Sequence, residues 1–194
     1  MAQDLFNYYK HALSNGLCSE YKGRWRACHD NKEQLVKLVM AQQSLPHFIH
    51  YCYNGMGLSK EYIQETFGDY INGNKVINDA DGVDGYTYSL YVGFKGVFKA
   101  AVDVLSLMWC TNTHVTIETS KCTVIYVGCG SHVHLSLDGY NCPHIYLFDD
   151  SKVTIDDADE DSKVVIYKYS DKAQVELGKY CLADVKVFDK DLRL

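Results

Sequence analysis

The sequence predicts an α+β protein, a small N-terminal helical module followed by a short β-solenoid of about four coils. Three observations carry this. Residues before about 70 hold apolar side chains at helical spacing, broken by cap and stop residues. From about Val97 the hydrophobic period drops to two and restarts roughly every ten residues to the end of the chain. The restarts share one polarity pattern, a small or polar residue followed by V-x-I/L, and stacking by translation sets like residues on like.

The helical elements come first. Leu5, Tyr8, Tyr9, Ala12 and Leu13 follow helical spacing, and Ser14-Asn15-Gly16 is a stop. A second helix is expected from Glu20 to Cys28. A third is capped by Asp30 or Asn31, with Glu33 in its first turn and a stripe of Leu35, Leu38, Val39 and Gln42. Ser44 precedes "LPHFIHYCYNG", where a proline near the start and Gly55 at the end fit the usual helix asymmetry. Ser59 caps "KEYIQETF", which Gly68 ends. "DYINGNKVIND" then carries an Asn-Gly hairpin signal. "NDADGVDG" reads as a loop. "YTYSLYV" alternates, with Tyr86, Tyr88, Leu90 and Val92 on one face, and reads as a strand at the seam. The boundary falls between a module of residues 1–96 and a β-repeat domain of residues 97–194.

The strand cores are HVTIE (114–118), TVIYV (123–127), HVHLS (132–136), HIYLF (144–148), KVTID (152–156), KVVIY (163–167), QVELG (174–178) and DVKVF (184–188). Such spacing also fits an antiparallel β-sandwich, which is the alternative. Sandwich hairpins want Asn-Gly, Asp-Gly or proline turns, and here "LDGY" (137–140) is the clear example. Most corners are Ser, Thr, Asp or Lys. At about 3.3 Å per residue, ten residues make one side and one corner, so a coil takes about twenty. The helical module is then a natural cap for the solenoid's N-terminal end, because bare ends invite pairing with other chains.

Composition limits the function. The chain has 194 residues, 47% hydrophobic and 23% charged, enough for a buried core. It has no apolar stretch of membrane length and its first residues do not read as a secretory signal, so a cytoplasmic location (host cell or virion) is expected. The eight cysteines (18, 28, 52, 110, 122, 129, 142, 181) then read as reduced thiols. Residues 1–100 hold ten acids and ten bases. Residues 101–194 hold fifteen acids and nine bases and so carry the whole net charge of −6, which would repel nucleic acid and anionic lipid.

Several constellations have a chemical reading beside a plain one. His114 and His132 occupy equivalent repeat positions and would stack about 5 Å apart. With His134, His144, Cys122, Cys129 and Cys142 they could hold a soft metal, although an outward histidine ladder is also an ordinary solvated face. His47 and His50 share a helix face without an evident third ligand. Asp79, Asp81 and Asp84, and the corner Asp156, Asp157 and Asp159, are candidate cation ligands. Neither group has a complete calcium loop, and packed carboxylates on a solvated turn are the plainer reading. No metal and no cofactor is expected. No GxSxG, Walker, HExxH or GxGxxG motif occurs, and Cys28–His29 and Cys142–His144 are pairs of the kind any Cys- and His-rich chain offers, so no enzymatic activity is expected.

Sixteen tyrosines are many. Tyr86, Tyr88, Tyr91, Tyr126, Tyr140, Tyr146, Tyr167 and Tyr169 fall in or near strands, where tyrosine suits half-buried faces and also recognition surfaces. The residues expected to make an interaction face are His114, His132, His134, Tyr146, Tyr167 and Tyr169.

The stretches "YYKHALSNGLCSEYKG…C", "GLSKEYIQETFGDYINGNKV" and "GYTYSLYV" resemble uncharacterised small proteins of gut-bacterial phages and mobile elements, in which a helical N-terminal module also precedes "VxIxxxS" β-repeats. The resemblance implies an accessory protein of a mobile element and carries over no catalytic residue. The expected function is therefore a structural or interaction protein, binding itself or a host protein through its β-repeat face, with no direct nucleic-acid or membrane contact. Solenoids of this size often bundle as trimers, so a homotrimer is one candidate assembly. Two other readings stay open. An acidic DNA-mimic inhibitor would need its acids in paired rows. A binder of a small nucleotide would need Lys or Arg beside Tyr, for which Lys22, Arg24 and Arg26 near Tyr21 and Trp25 are the dense candidate in the sequence.

Overall fold

The computed structural model describes residues 19–28, 31–41, 45–78, 86–118 and 123–190. The helix expected at residues 5–13 and the loop holding Asp79, Asp81 and Asp84 lie outside these, as do Cys18 and Cys122. The described helices are α1 (Ser19–Cys28), α2 (Lys32–Met40), α3 (Leu45–Tyr53) and α4 (Lys60–Phe67), followed by a 3₁₀ turn at Gly68–Tyr70. Their caps follow the sequence logic. Asn31 accepts the Gln34 N–H and Ser59 accepts the Tyr62 N–H, which satisfies a first-turn donor in each helix.

Twelve strands follow: β1 (Ile77–Asn78), β2 (Thr87–Val92), β3 (Gly96–Ala100), β4 (Val104–Met108), β5 (Thr113–Ile117), β6 (Val124–Gly128), β7 (His132–Leu137), β8 (His144–Leu147), β9 (Lys152–Ala158), β10 (Lys163–Lys168), β11 (Gln174–Cys181) and β12 (Asp184–Asp189). They form two sheets, ordered β1-β2-β4-β6-β8-β10-β12 and β11-β9-β7-β5-β3. Successive strands alternate between sheets, and every pairing from β2 onward is parallel. This is a two-sided β-solenoid, and the antiparallel sandwich is excluded. Among the described strands only β1 runs antiparallel to its neighbour.

The solenoid has about five coils, one more than the sequence suggested. Three strands, β2, β3 and β4, lie ahead of the eight cores read from the sequence, and "YTYSLYV" pairs in parallel with β4 on one edge and antiparallel with β1 on the other. The Asn72-Gly73 turn does form, with both φ angles positive and the Asn74 N–H donated to the Ile71 carbonyl. Its two flanks lie along β2, Ile71 beside Leu90 and Ile77 beside Tyr88. Asn72 also closes the edge of β2: its Oδ1 accepts the Val92 N–H at 2.8 Å.

The coil interior is apolar and stacked. Leu105, Leu107, Ile125, Val127, Ile145, Leu147, Val164 and Ile166 of the larger sheet face Val115, Ile117, Val133, Leu135, Val153 and Ile155 of the smaller one. The corners explain the absence of turn dipeptides. Ser131 accepts the Cys110 N–H through its hydroxyl, Ser151 accepts the Ser131 N–H, and Ser162 accepts the Asn141 N–H, each one coil back. All three serines are fully buried. A small hydroxyl at the corner thus satisfies a buried backbone donor that no ladder reaches. Trp109, Cys129 and Asp149 repeat a left-handed backbone at one corner, a coil apart each time.

The described helices lie beside the first coils. They pack on the outer face of the larger sheet, over its first strands, and bury Tyr88, Leu90, Val92, Val104, Met108 and Tyr126 in a second core with Leu35, Val39, Phe48, Ile49 and Ile63. Gln64 of α4 donates to the Val92 carbonyl at 3.0 Å, and a Cβ on Gly128 of β6 would sit 2.1 Å from Cγ2 of Ile49. Glycine there lets α3 lie directly on the sheet.

Candidate functional site: an aromatic column and its cleft

Parallel stacking in register turns a repeated outward residue into a column. On the outer face of the larger sheet one column runs Leu90, Ser106, Tyr126, Tyr146, Tyr167, Phe188. Its ring centroids lie 4.9 Å apart from Tyr126 to Tyr146 (stacked), 5.0 Å from Tyr146 to Tyr167 (tilted by 32°), and 5.8 Å from Tyr167 to Phe188 (stacked). The strand spacing of about 4.8 Å dictates this separation, which is also a favourable one for offset rings. Beside it Phe148 and Tyr169 stack at 5.1 Å and 9°.

The described helices cover the start of the column, and exposure rises toward its end. Tyr126 and Phe148 are buried, Tyr146, Tyr167 and Tyr169 are half-buried, and Phe188 is 45% exposed. Where the cover stops, a cleft of about 540 Å³ opens between the end of α3 and the outer strands. His50 and Tyr53 line one side, Tyr169, Lys168 and Lys190 the other, with Asp149 at its base. Lys190 also lies 5.6 Å from the centre of the Tyr167 ring.

The electrostatics of the cleft come from burial. Asp149 is pushed up to about 6, chiefly by desolvation and further by Asp150, against the Cys129 N–H that its carboxylate accepts at 3.1 Å. His50 lies 3.8 Å from it and is held below its ordinary value by burial and by His47. Burial also raises the thiols, Cys52 to about 12 and Cys110 to about 11, so neither is an activated nucleophile.

Of the expected interaction residues, Tyr146, Tyr167 and Tyr169 come together on this face. The histidines lie elsewhere. His114 and His134 are outward on the smaller sheet and stack on each other at 4.4 Å. His132 does not join them, because its ladder partner is Lys152. The pairing expected from the sequence was two residues out of register. Ser131 hydrogen-bonds at Cys110, which sets the corner and brings His134 over His114. The mixed cysteine–histidine set is not assembled. His144 stands on the opposite sheet beside Tyr167, and Cys129 is buried with its thiol toward the Ile49 carbonyl. Asp156 approaches the histidine pair, whereas Asp157 and Asp159 are exposed. Arg24 and Arg26 are exposed on α1, and the side chains of Tyr21, Lys22 and Trp25 lie outside the described residues. Several solenoid acids pair with lysines across or along strands: Glu118 with Lys99, Glu176 with Lys152, Asp189 with Lys168, and Asp184 with Lys186.

The cleft lysines and Asp149 were missed by sequence reasoning. Lys168 and Lys190 were visible only as charged residues at or just beyond strand ends, and α3 had to be placed on the sheet before a cleft existed. No helix among the described residues is long and apolar enough to cross a membrane. Comparison with protein-family models, with curated proteins and with solved structures finds no match for this chain.

Proposed function

We propose that the chain is a non-enzymatic interaction protein that binds a protein partner through the open end of its aromatic column. One observation carries the reading: the rings that the described helices cover at Tyr126 continue in register through Tyr146 to Tyr167 and Phe188, where the face opens and Phe188 is 45% exposed. Part of one flat face is already used for docking helices, and the rest has the same chemistry. Tyrosine offers large contact area for little lost side-chain freedom, and it is enriched where proteins recognise proteins. With the phage-like resemblance of the front half, the reading is of an accessory protein of such an element. The alternation of acids with lysines counts against a DNA mimic, which needs unbroken acidic rows.

The test is light scattering of the pure protein, together with quantitative affinity capture from the source cells, for wild type and for Tyr167→Ser/Phe188→Ser. Loss of a specific prey, or collapse of an oligomer to monomer, in the variant supports the reading. An unchanged prey set and unchanged mass would discard it.

A second reading draws on the cleft. Lys168, Lys172 and Lys190 beside Tyr169 and Tyr53 supply the cation-plus-ring pairing that a small nucleotide requires. A thermal-shift screen with mono- and dinucleotides checks it, with stabilisation lost in Lys190→Ala.

A further inference from the structure

We propose that His114, His134 and Asp156 form a binding site for a divalent transition-metal ion of the zinc type on the outer face of the smaller sheet. The two imidazoles belong to neighbouring parallel strands, β5 and β7, at paired positions. Their rings lie 4.4 Å apart at an angle of 15°, so like edges point the same way. Both present Nδ1 to one carboxylate, Asp156 lying 3.1 Å from His134 and 3.7 Å from His114. The three donor atoms all fall within 4.8 Å of one another, and this is the single such three-ligand group among the described residues.

Asp156 reaches this position through a backbone device. Leu135 pairs with Ile155 and the next residue, Ser136, pairs with Asp157, so Asp156 is the extra residue of a bulge in β9. A bulge re-aims the side chain it carries. The neighbouring strand makes room for it: a Cβ on Gly178 of β11 would come within 2.7 Å of the Asp156 carbonyl oxygen. The ladder is thus interrupted on two strands, and the carboxylate is delivered to the histidines of the third and fourth.

The donor set selects the ion. Two imidazole nitrogens and one carboxylate oxygen suit Zn²⁺, Co²⁺, Ni²⁺ or Cu²⁺, whereas Ca²⁺ and Mg²⁺ take oxygen ligands. Bonds of about 2.0 Å at tetrahedral angles place ligand atoms ~3.3 Å apart, so closure needs small rotations of side chains that are partly exposed. Three protein ligands leave a coordination position for water or for a group from a binding partner. The site is on the sheet opposite the aromatic column and does not depend on the function proposed above.

The full-length chain, stripped with a chelator, is titrated with Zn²⁺ by calorimetry and with Co²⁺ by absorbance. The expected result is one ion per chain, with affinity falling at least tenfold in His134→Gln and in Asp156→Asn and unchanged in His132→Gln, which alters a histidine outside the group. The cobalt spectrum should lack the near-ultraviolet sulfur-to-metal band that a cysteine site would give. Nitrogen-15 spectra of the wild-type histidines keep the test independent of how the variants fold, since Zn²⁺ should shift the ring nitrogens of His114 and His134 and leave His132 in place. No uptake, uptake indifferent to His134→Gln and Asp156→Asn, or a sulfur band would each overturn the proposal.

Discussion

Asp149 holds a left-handed corner with its carboxylate buried at the base of the cleft. Its folded value of about 6 lies above the 3.8 of the free side chain, so the ionised form is disfavoured by folding. That cost is full above pH 6 and disappears as the pH falls through 6 toward 4, which makes the contribution to stability decrease as pH rises. Asn keeps an oxygen for the Cys129 N–H and cannot ionise. Asp149→Asn should therefore stabilise the protein by on the order of 1–3 kcal/mol at pH 8 and by close to nothing at pH 4. Urea unfolding at the two pH values checks it, and an equal effect at both would assign the change to packing. At the same scale, Gly128→Ala forces a methyl into Ile49 and should cost about 1–3 kcal/mol. If that contact is the cause, Gly128→Ala combined with Ile49→Ala will lose clearly less than the two single losses together, as a double-mutant cycle would report.

At the scale of the element, the strands were legible and their register was not. Alternation in HVTIE, HVHLS and KVTID fixes which residues face inward, and all three segments behave as read. A shift of two residues leaves every side chain on its own face, so the hydrophobic pattern could not separate His132 from His134 as the partner of His114. The corner hydrogen bonds make that choice, and they involve backbone donors that a sequence does not display. The bulge that turns Asp156 toward the histidines leaves only a one-residue slip in the sequence, from Val153 and Ile155 to Ala158, which reads equally as the end of the strand. Ser131→Ala tests the corner directly. It leaves the Cys110 N–H buried without its acceptor and should cost about 1–3 kcal/mol, more than Ser170→Ala on the surface, with chemical denaturation as the readout.

At the scale of the molecule, the helical stripe Leu35, Leu38 and Val39 announced that its helix packs, but not on what. The missing half of that statement was present in the strands. β4, "VLSLM", does not alternate and is buried throughout, as is most of β2, because one face lines the coil and the other lies under helices. Later strands alternate where the cover ends. A solenoid is held by contacts between successive coils, so stability should follow that cover. The first coils have neighbours inside and helices outside. In the last coil the inward residues Leu177 and Val187, stacked on Ile155 and Ile166, remain 55% and 47% exposed. Hydrogen exchange should accordingly be slowest in β4–β7 and fastest in β11 and β12, with opening that proceeds from the C-terminal coil. Equal protection along the solenoid would mean that another copy or a further segment covers the last coil. Repeating the measurement across a range of protein concentrations then separates these two: a second copy protects β11 and β12 more as concentration rises, and a segment of the same chain does not.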